Sequence, residues 1–158
     1  MEPIRHLGHR MRVLSQALCQ SMDRTLTELD LTAIQSFILR YMETCGETVV
    51  YPKDIEKRFR LTHPTVSGIL QRMEDKGFIR MQTDPDDHRC KRVERTEKAV
   101  RCQQAICQRI CMTEQAMTAG MSEEEVTLFI RLLDRAIENM QALDSYDTKE
   151  EPTTCSNV

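Results

Sequence analysis

Apolar residues recur at steps of three and four from Ile4 through Leu7, Met11, Leu14, Leu18, Met22, Leu26 and Leu29. That spacing predicts one long amphipathic helix. Thr32 followed three residues later by Gln35 reads as a capping box opening a second helix, which carries Ile34, Phe37, Ile38, Tyr41 and Met42 and ends near Cys45-Gly46. After Val49-Val50-Tyr51, Pro52 fits the first turn of a third helix, with Ile55 and Phe59 on one face. Thr62 is expected to cap a fourth helix, whose inner face is Val66, Ile69, Leu70 and Met73 and which runs to Lys76-Gly77. Two short helices joined by three or four residues, each burying one stripe, predict a helix-turn-helix.

The period then changes. Ile79 and Met81 fall two residues apart on one strand face, Asp84-Pro85-Asp86-Asp87 has turn chemistry, and Lys91 to Arg95 alternates charge around Val93. A hairpin directly after a helix-turn-helix is a winged helix. Helical spacing resumes after Thr96, a fitting cap, through Ile106, Ile110 and Met117 to Gly120. Ser122 and Glu125 form a second capping box before Val126, Phe129, Ile130, Leu133, Ile137, Met140 and Leu143. The expected organisation is an N-terminal dimerisation helix (1–30), a winged helix-turn-helix (31–96), two C-terminal dimerisation helices (97–144) and a polar, mobile tail (145–158). The long terminal helices exceed what a winged-helix core needs to bury, which predicts a two-fold homodimer. The fold class is mostly α, an α+β chain with one small wing.

Composition agrees with that reading. Five Gly and five Pro in 158 residues disfavour a strand-and-turn architecture. No apolar run is long enough to span a bilayer, and the first residues lack a secretion signal, so the expected location is the cytoplasm. Seven cysteines, irregularly spaced and without a Cys-x-x-Cys pair, read as free thiols and offer no zinc ribbon. There is no Gly-rich phosphate loop, nucleophile elbow or paired-His metal helix, so neither an enzyme nor a cofactor is expected. A net charge of −3 argues at first against a nucleic-acid partner. The distribution reverses that argument. Residues 53–101 hold thirteen Lys and Arg against nine Asp and Glu, whereas 114–158 hold three against ten. The winged helix is locally basic, and the acidity belongs to the C-terminal helices and tail.

The run from Leu61 to Ile79, containing Thr62-His63-Pro64-Thr65-Val66-Ser67-Gly68, resembles the recognition helix and first wing strand of MarR-type (multiple-antibiotic-resistance) regulators. Asp84-Pro85-Asp86-Asp87-His88-Arg89, then Val93 and Thr96, is similar to that family's wing, and Leu31-Thr32-Ala33-Ile34-Gln35 to its second-helix start. With the flanking helices, the resemblance covers about residues 5 to 143. Arg95 departs from it, standing where such proteins usually carry an apolar residue. The resemblance implies a homodimeric transcription factor, often a repressor released from its operator by a small ligand or by oxidation. It also implies a pocket for a small aromatic or phenolic effector between the winged helix and the dimerisation helices.

In that reading the partner is double-stranded DNA with a two-fold symmetric operator, and a recognition helix presents its polar face to the major groove. Thr62, His63, Thr65, Ser67, Gln71 and Arg72 are the candidate contacts on that helix. Gln71 suits an adenine edge, Ser67 and Thr65 suit base or phosphate, and Arg72 suits phosphate or guanine. The resemblance gives Arg89 a minor-groove role at the wing tip, oriented by Asp87. Lys91 and Arg92 would add phosphate contacts. Cys107 and Cys111 share a helix face with Cys102 roughly opposite, and together with Cys90 in the wing they are the candidate redox thiols. Buried cysteine, however, commonly serves as a small hydrophobe. His6 and His9 are three apart but lack a third ligand by spacing, so no metal is expected. Two other classes stay open at this point: a winged-helix module that binds protein rather than DNA, and a small thiol- or metal-dependent enzyme.

Overall fold

The computed structural model describes residues 6–85 and 87–147. Ile4, Asp86, and the tail from residue 148 with Pro152 and Cys155 lie outside the described residues. Six helices and two strands follow in the order α1 (Leu7–Glu28), α2 (Ala33–Thr44), α3 (Pro52–Phe59), α4 (His63–Asp75), β1 (Ile79–Thr83), β2 (Lys91–Arg95), α5 (Glu97–Met117) and α6 (Glu123–Asp147). The helix expected to stop near Leu143 therefore continues to Asp147. The chain divides into two compact units, Met1–Glu114 and Gln115–Val158.

Within the first unit, the core is built from the stripes that the periodicity marks. Val66, Ile69, Leu70 and Met73 of α4 are all buried and meet Ile55 of α3, Ile38, Leu39 and Met42 of α2, and Phe78 and Ile79 at the wing root. Phe37 corrects the expected stripe of α2: it is 57% exposed, while Leu39 is fully buried. At 100° per residue, Phe37 points some 160° away from Leu39, and the inner face runs Gln35, Ile38, Leu39, Met42. Tyr41 flanks that face and meets Phe59 edge-on, with ring centroids 6.0 Å apart.

Caps and turns hold the helices in register. Gln35 donates its backbone N–H to Thr32 Oγ1 (3.4 Å), and its Oε1 accepts from Thr32 N (3.0 Å), completing the expected box. The turn of the helix-turn-helix is closed by Arg60 in the left-handed conformation (φ 53), with Leu61 N donating to Glu56 O. Asp30, also left-handed, accepts Lys76 Nζ at both its carbonyl and its Oδ1 (2.9 and 2.7 Å), tying the α1–α2 corner to the end of α4.

The two strands pair antiparallel in the register Ile79↔Arg95, Met81↔Val93 and Thr83↔Lys91. Val93 is buried and its N–H reaches back to Val50 O (2.8 Å), adding a third extended segment to the wing. Arg95, the departure noted above, is half-buried opposite Ile79 and leaves the second strand intact. Thr96 serves two elements at once. Its Oγ1 donates toward Gly77 O (2.7 Å) and Phe78 O (3.1 Å) and accepts from Ala99 N at the start of α5. Lys98 Nζ bonds Lys76 O (2.7 Å) and stands 4.3 Å from the centre of the Phe78 ring.

The second unit carries α6, opened by the Ser122/Glu125 capping box (2.8 and 3.2 Å). Leu128, Ile130, Leu132, Ile137, Met140 and Leu143 stand exposed along it. Helix α1 is likewise uncovered at its start, with Leu7 and Val13 about half exposed, whereas Leu26 near its end is buried in the winged-helix core.

Candidate nucleic-acid interface

The outer face of α4, the start of α3 and the wing enclose a cleft of about 650 Å³. Five of the expected DNA contacts line it: His63, Ser67 and Gln71 from α4, and Arg89 and Lys91 from the wing, with Cys90 beside them. Thr62, Thr65, Arg72 and Asp87 are exposed and Arg92 is half-buried; none of these five is among the residues that line the cleft. The α4 stripe is fixed by burial of Val66, Leu70 and Met73, so Ser67 and Gln71 must face outward. Gly68 lies in open space, where an added Cβ would meet nothing within 4 Å. The backbone is therefore open to close approach there.

Asp87 organises the wing tip. Its Oδ1 accepts from the backbone N–H of Arg89 (3.1 Å) and from Arg89 Nε (3.4 Å), and its Oδ2 accepts from Cys90 Sγ (3.4 Å). These bonds, the backbone N–H of Arg89 first and then the Cys90 thiol, hold the Asp87 carboxyl below its ordinary range. The Arg89 side chain is 93% exposed beyond this contact, aimed by the carboxylate yet free at its outer nitrogens. The same bond pushes the Cys90 thiol up, which lowers its thiolate fraction.

One expectation needs correction in detail. Thr62 holds the N-cap position of α4 without a side-chain cap; its Oγ1 lies 2.9 Å from Thr65 Oγ1 instead. Pro64 has no N–H to offer at the second helical position, and Thr65 presents its own hydroxyl at the third. Arg92 lies within the wing, its Nε 2.9 Å from Glu94 Oε1 and a terminal nitrogen donating to Gln82 Oε1 (3.3 Å). Gln71 lines the cleft and donates to Asp75 Oδ1 (2.9 Å).

Several site residues escaped the sequence reading. Tyr51 caps α3 and donates its hydroxyl to Asp84 Oδ2, fastening the wing to the helix-turn-helix. Glu74 accepts Met81 N (2.7 Å), a second fastening from α4 to β1. Glu56 meets His63 Nδ1 at 2.7 Å. Only the place of Tyr51 at the start of α3 had a sequence signal, since Asp54 lies three residues on and accepts Tyr51 N (2.9 Å); its bond to Asp84 had none.

The thiols do not form one centre. Cys102 is buried, with burial raising its thiol, whereas Cys107 and Cys111 are exposed on the other side of α5. Among the described residues no group of three or more His, Cys, Asp or Glu could hold a metal ion. No described helix is long and apolar enough to cross a membrane.

Residues 29–89, from the end of α1 to the wing tip, match the family model described as MarR family. Among solved structures, the S. aureus MepR–DNA complex is 26% identical, with 84% of this chain and 98% of that one covered and a TM-score of 0.78. S. aureus MepR bound to ethidium bromide is 26% identical over 85% and 96% of the two chains, with a TM-score of 0.71. A structure assigned to the MarR transcriptional regulators, from Clostridium acetobutylicum, covers 84% and 96% at a TM-score of 0.73; at 22% identity it shows the fold alone.

Proposed function

We propose that this MarR-family winged-helix chain is a sequence-specific DNA-binding transcription regulator that works as a homodimer in the cytoplasm. One observation carries the reading: His63, Ser67, Gln71, Arg89 and Lys91 converge on a single cleft. That cleft lies in a fold shared with a relative seen bound to DNA. In this account α4 enters the major groove and Ser67 and Gln71 read base edges. Arg89, aimed by Asp87, enters the adjacent minor groove, and Lys91 contacts phosphate.

The dimer reading is supported by apolar side chains left uncovered in each unit taken by itself: Leu7 and Val13 of α1 in the first, and Leu128, Ile130, Leu132 and Ile137 of α6 in the second. Exposed apolar stripes of that kind favour association. We read the regulator as a repressor, released when a small aromatic ligand binds. The relative bound to ethidium bromide supports a planar aromatic effector. Release by oxidation is the second route: Cys90 and Cys102 are held toward their protonated form, whereas Cys107 and Cys111 stand exposed to an oxidant.

The test is selection of duplexes from a randomised pool by the purified full-length chain, followed by footprinting. The account expects a two-fold site with half-sites about one helical turn, roughly 10 bp, apart. Recovery of no preferred sequence would remove the reading.

A further inference from the structure

Glu56 is an acid on the surface that would meet a polyanion. Its side chain, 22% exposed, lines the same cleft as His63, Ser67, Gln71 and Arg89. A bare carboxylate there opposes DNA, because like charges repel across a few ångströms. Its geometry gives it a different task. Oε1 lies 2.7 Å from Nδ1 of His63, bridging α3 to the first residue of α4 across the turn. A carboxylate only accepts, so Nδ1 carries the proton and the imidazole is fixed by its inner edge. The His63 side chain is 75% exposed, which leaves the Nε2 edge for an incoming duplex.

We propose that Glu56 is a positioning residue for His63, and that the pair takes up one proton as the cleft closes on DNA. The inference rests on the DNA-binding reading above. An imidazole protonated only at Nδ1 presents Nε2 as an acceptor, which cannot bond a phosphate oxygen. Protonated at both nitrogens, it donates to Glu56 on one side and to phosphate on the other. Two anions flanking the ring favour that form together.

The other charged or titratable groups lining this cleft are Tyr51 just before α3, Lys53 and Asp54 from α3, Glu74 from α4, and Arg89, Cys90 and Lys91 from the wing. Lys53, Arg89 and Lys91 oppose a further positive charge in the free chain, while Asp54 and Glu74 favour it. Bound phosphates would offset the three cations and favour the doubly protonated ring in the complex.

The experiment is fluorescence anisotropy with a labelled duplex recovered by the full-length chain from a randomised pool. It is run from about pH 5.5 to 8.5, the range over which imidazoles titrate, at fixed ionic strength. Wild-type affinity should fall as pH rises, with a limiting slope of about tenfold per pH unit for one proton. His63→Gln should flatten the slope and hold affinity at or below the wild-type alkaline value at every pH. Glu56→Gln, a neutral isostere, should make the slope shallower and weaken binding at the acid end. Thermal melts of both variants establish that they are folded.

A flat wild-type profile overturns the proposal. So does Glu56→Gln binding tighter at every pH with an unchanged slope, which would make Glu56 only a repulsive charge. A slope that survives His63→Gln and vanishes in His88→Gln would assign the proton to the wing. Failure to recover any duplex would remove the DNA-binding reading too, whereas a bound duplex with a flat profile removes this inference alone.

Discussion

Replacing Tyr51 by Phe deletes one oxygen and leaves the ring in place, so it isolates the hydroxyl that fastens the wing to α3. That hydroxyl donates to Oδ2 of Asp84, thirty-three residues further along the chain. Asp84 is only 4% exposed, so water replaces the lost donor poorly. The same aspartate organises the hairpin: its Oδ1 accepts from Asp87 N (3.3 Å), and its own N–H donates to Cys90 O (2.9 Å). A hydrogen bond to a charged acceptor contributes about 1.5–3 kcal/mol, so a loss of about 2 kcal/mol is expected. At about 2–4 °C per kcal/mol for a chain of this size, Tm should fall by about 4–8 °C. Thermal and urea unfolding followed by circular dichroism measure this, with the urea m-value unchanged because the exposed surface is the same. Affinity for DNA should also fall at 25 °C, where the variant is still folded, because the wing carrying Arg89 loses its anchor. A Tm within about one degree of wild type would refute the energetic argument. A full stability loss with unchanged DNA affinity would separate the anchor from the contact.

Leu70→Ala removes a side chain that is 1% exposed at the centre of α4, and should cost about 2–5 kcal/mol, read as a lowered urea midpoint. Arg60→Gly relieves a left-handed residue in the helix-turn-helix turn (φ 53) and should be neutral or stabilising by up to about 1 kcal/mol; a clear loss would show that the Arg60 side chain holds the turn. Cys90 should alkylate more slowly than an ordinary exposed cysteine at neutral pH and gain rate only at higher pH, because its bond to Asp87 raises the thiol; peptide-level mass spectrometry separates it from Cys107 and Cys111. Asp87→Asn should move that rate profile to lower pH.

Local chemistry is what the sequence disclosed. The Thr32/Gln35 and Ser122/Glu125 boxes and the Thr96 cap depend on residues three apart, and one helical turn is enough to bring them together. The wing strand Lys91–Arg95 and the inner face of α4 were equally legible, because period and burial coincide there. Thr62 was misjudged in its detail because a neighbouring hydroxyl competed with the backbone for its side chain. The pairs Tyr51–Asp84, Glu74–Met81 and Glu56–His63 were invisible for another reason. They span seven to thirty-three residues and form only once α3, α4 and the wing have packed, which no spacing along the chain encodes. Arg92 illustrates the same limit: its sequence position suggests a free cation, and only the hairpin register shows Glu94 and Gln82 within its reach.

The central claim is that the cleft between α4 and the wing grips DNA, with Arg89 as its minor-groove contact. It is tested most directly by an anisotropy titration of Arg89→Ala against wild type on one selected duplex, with sedimentation confirming that both have the same oligomeric state. Because the Arg89 side chain is 93% exposed, the substitution removes the contact without disturbing the core. The account predicts binding weaker by at least about tenfold, equivalent to 1.4 kcal/mol or more. Equal affinities for the two proteins would contradict it.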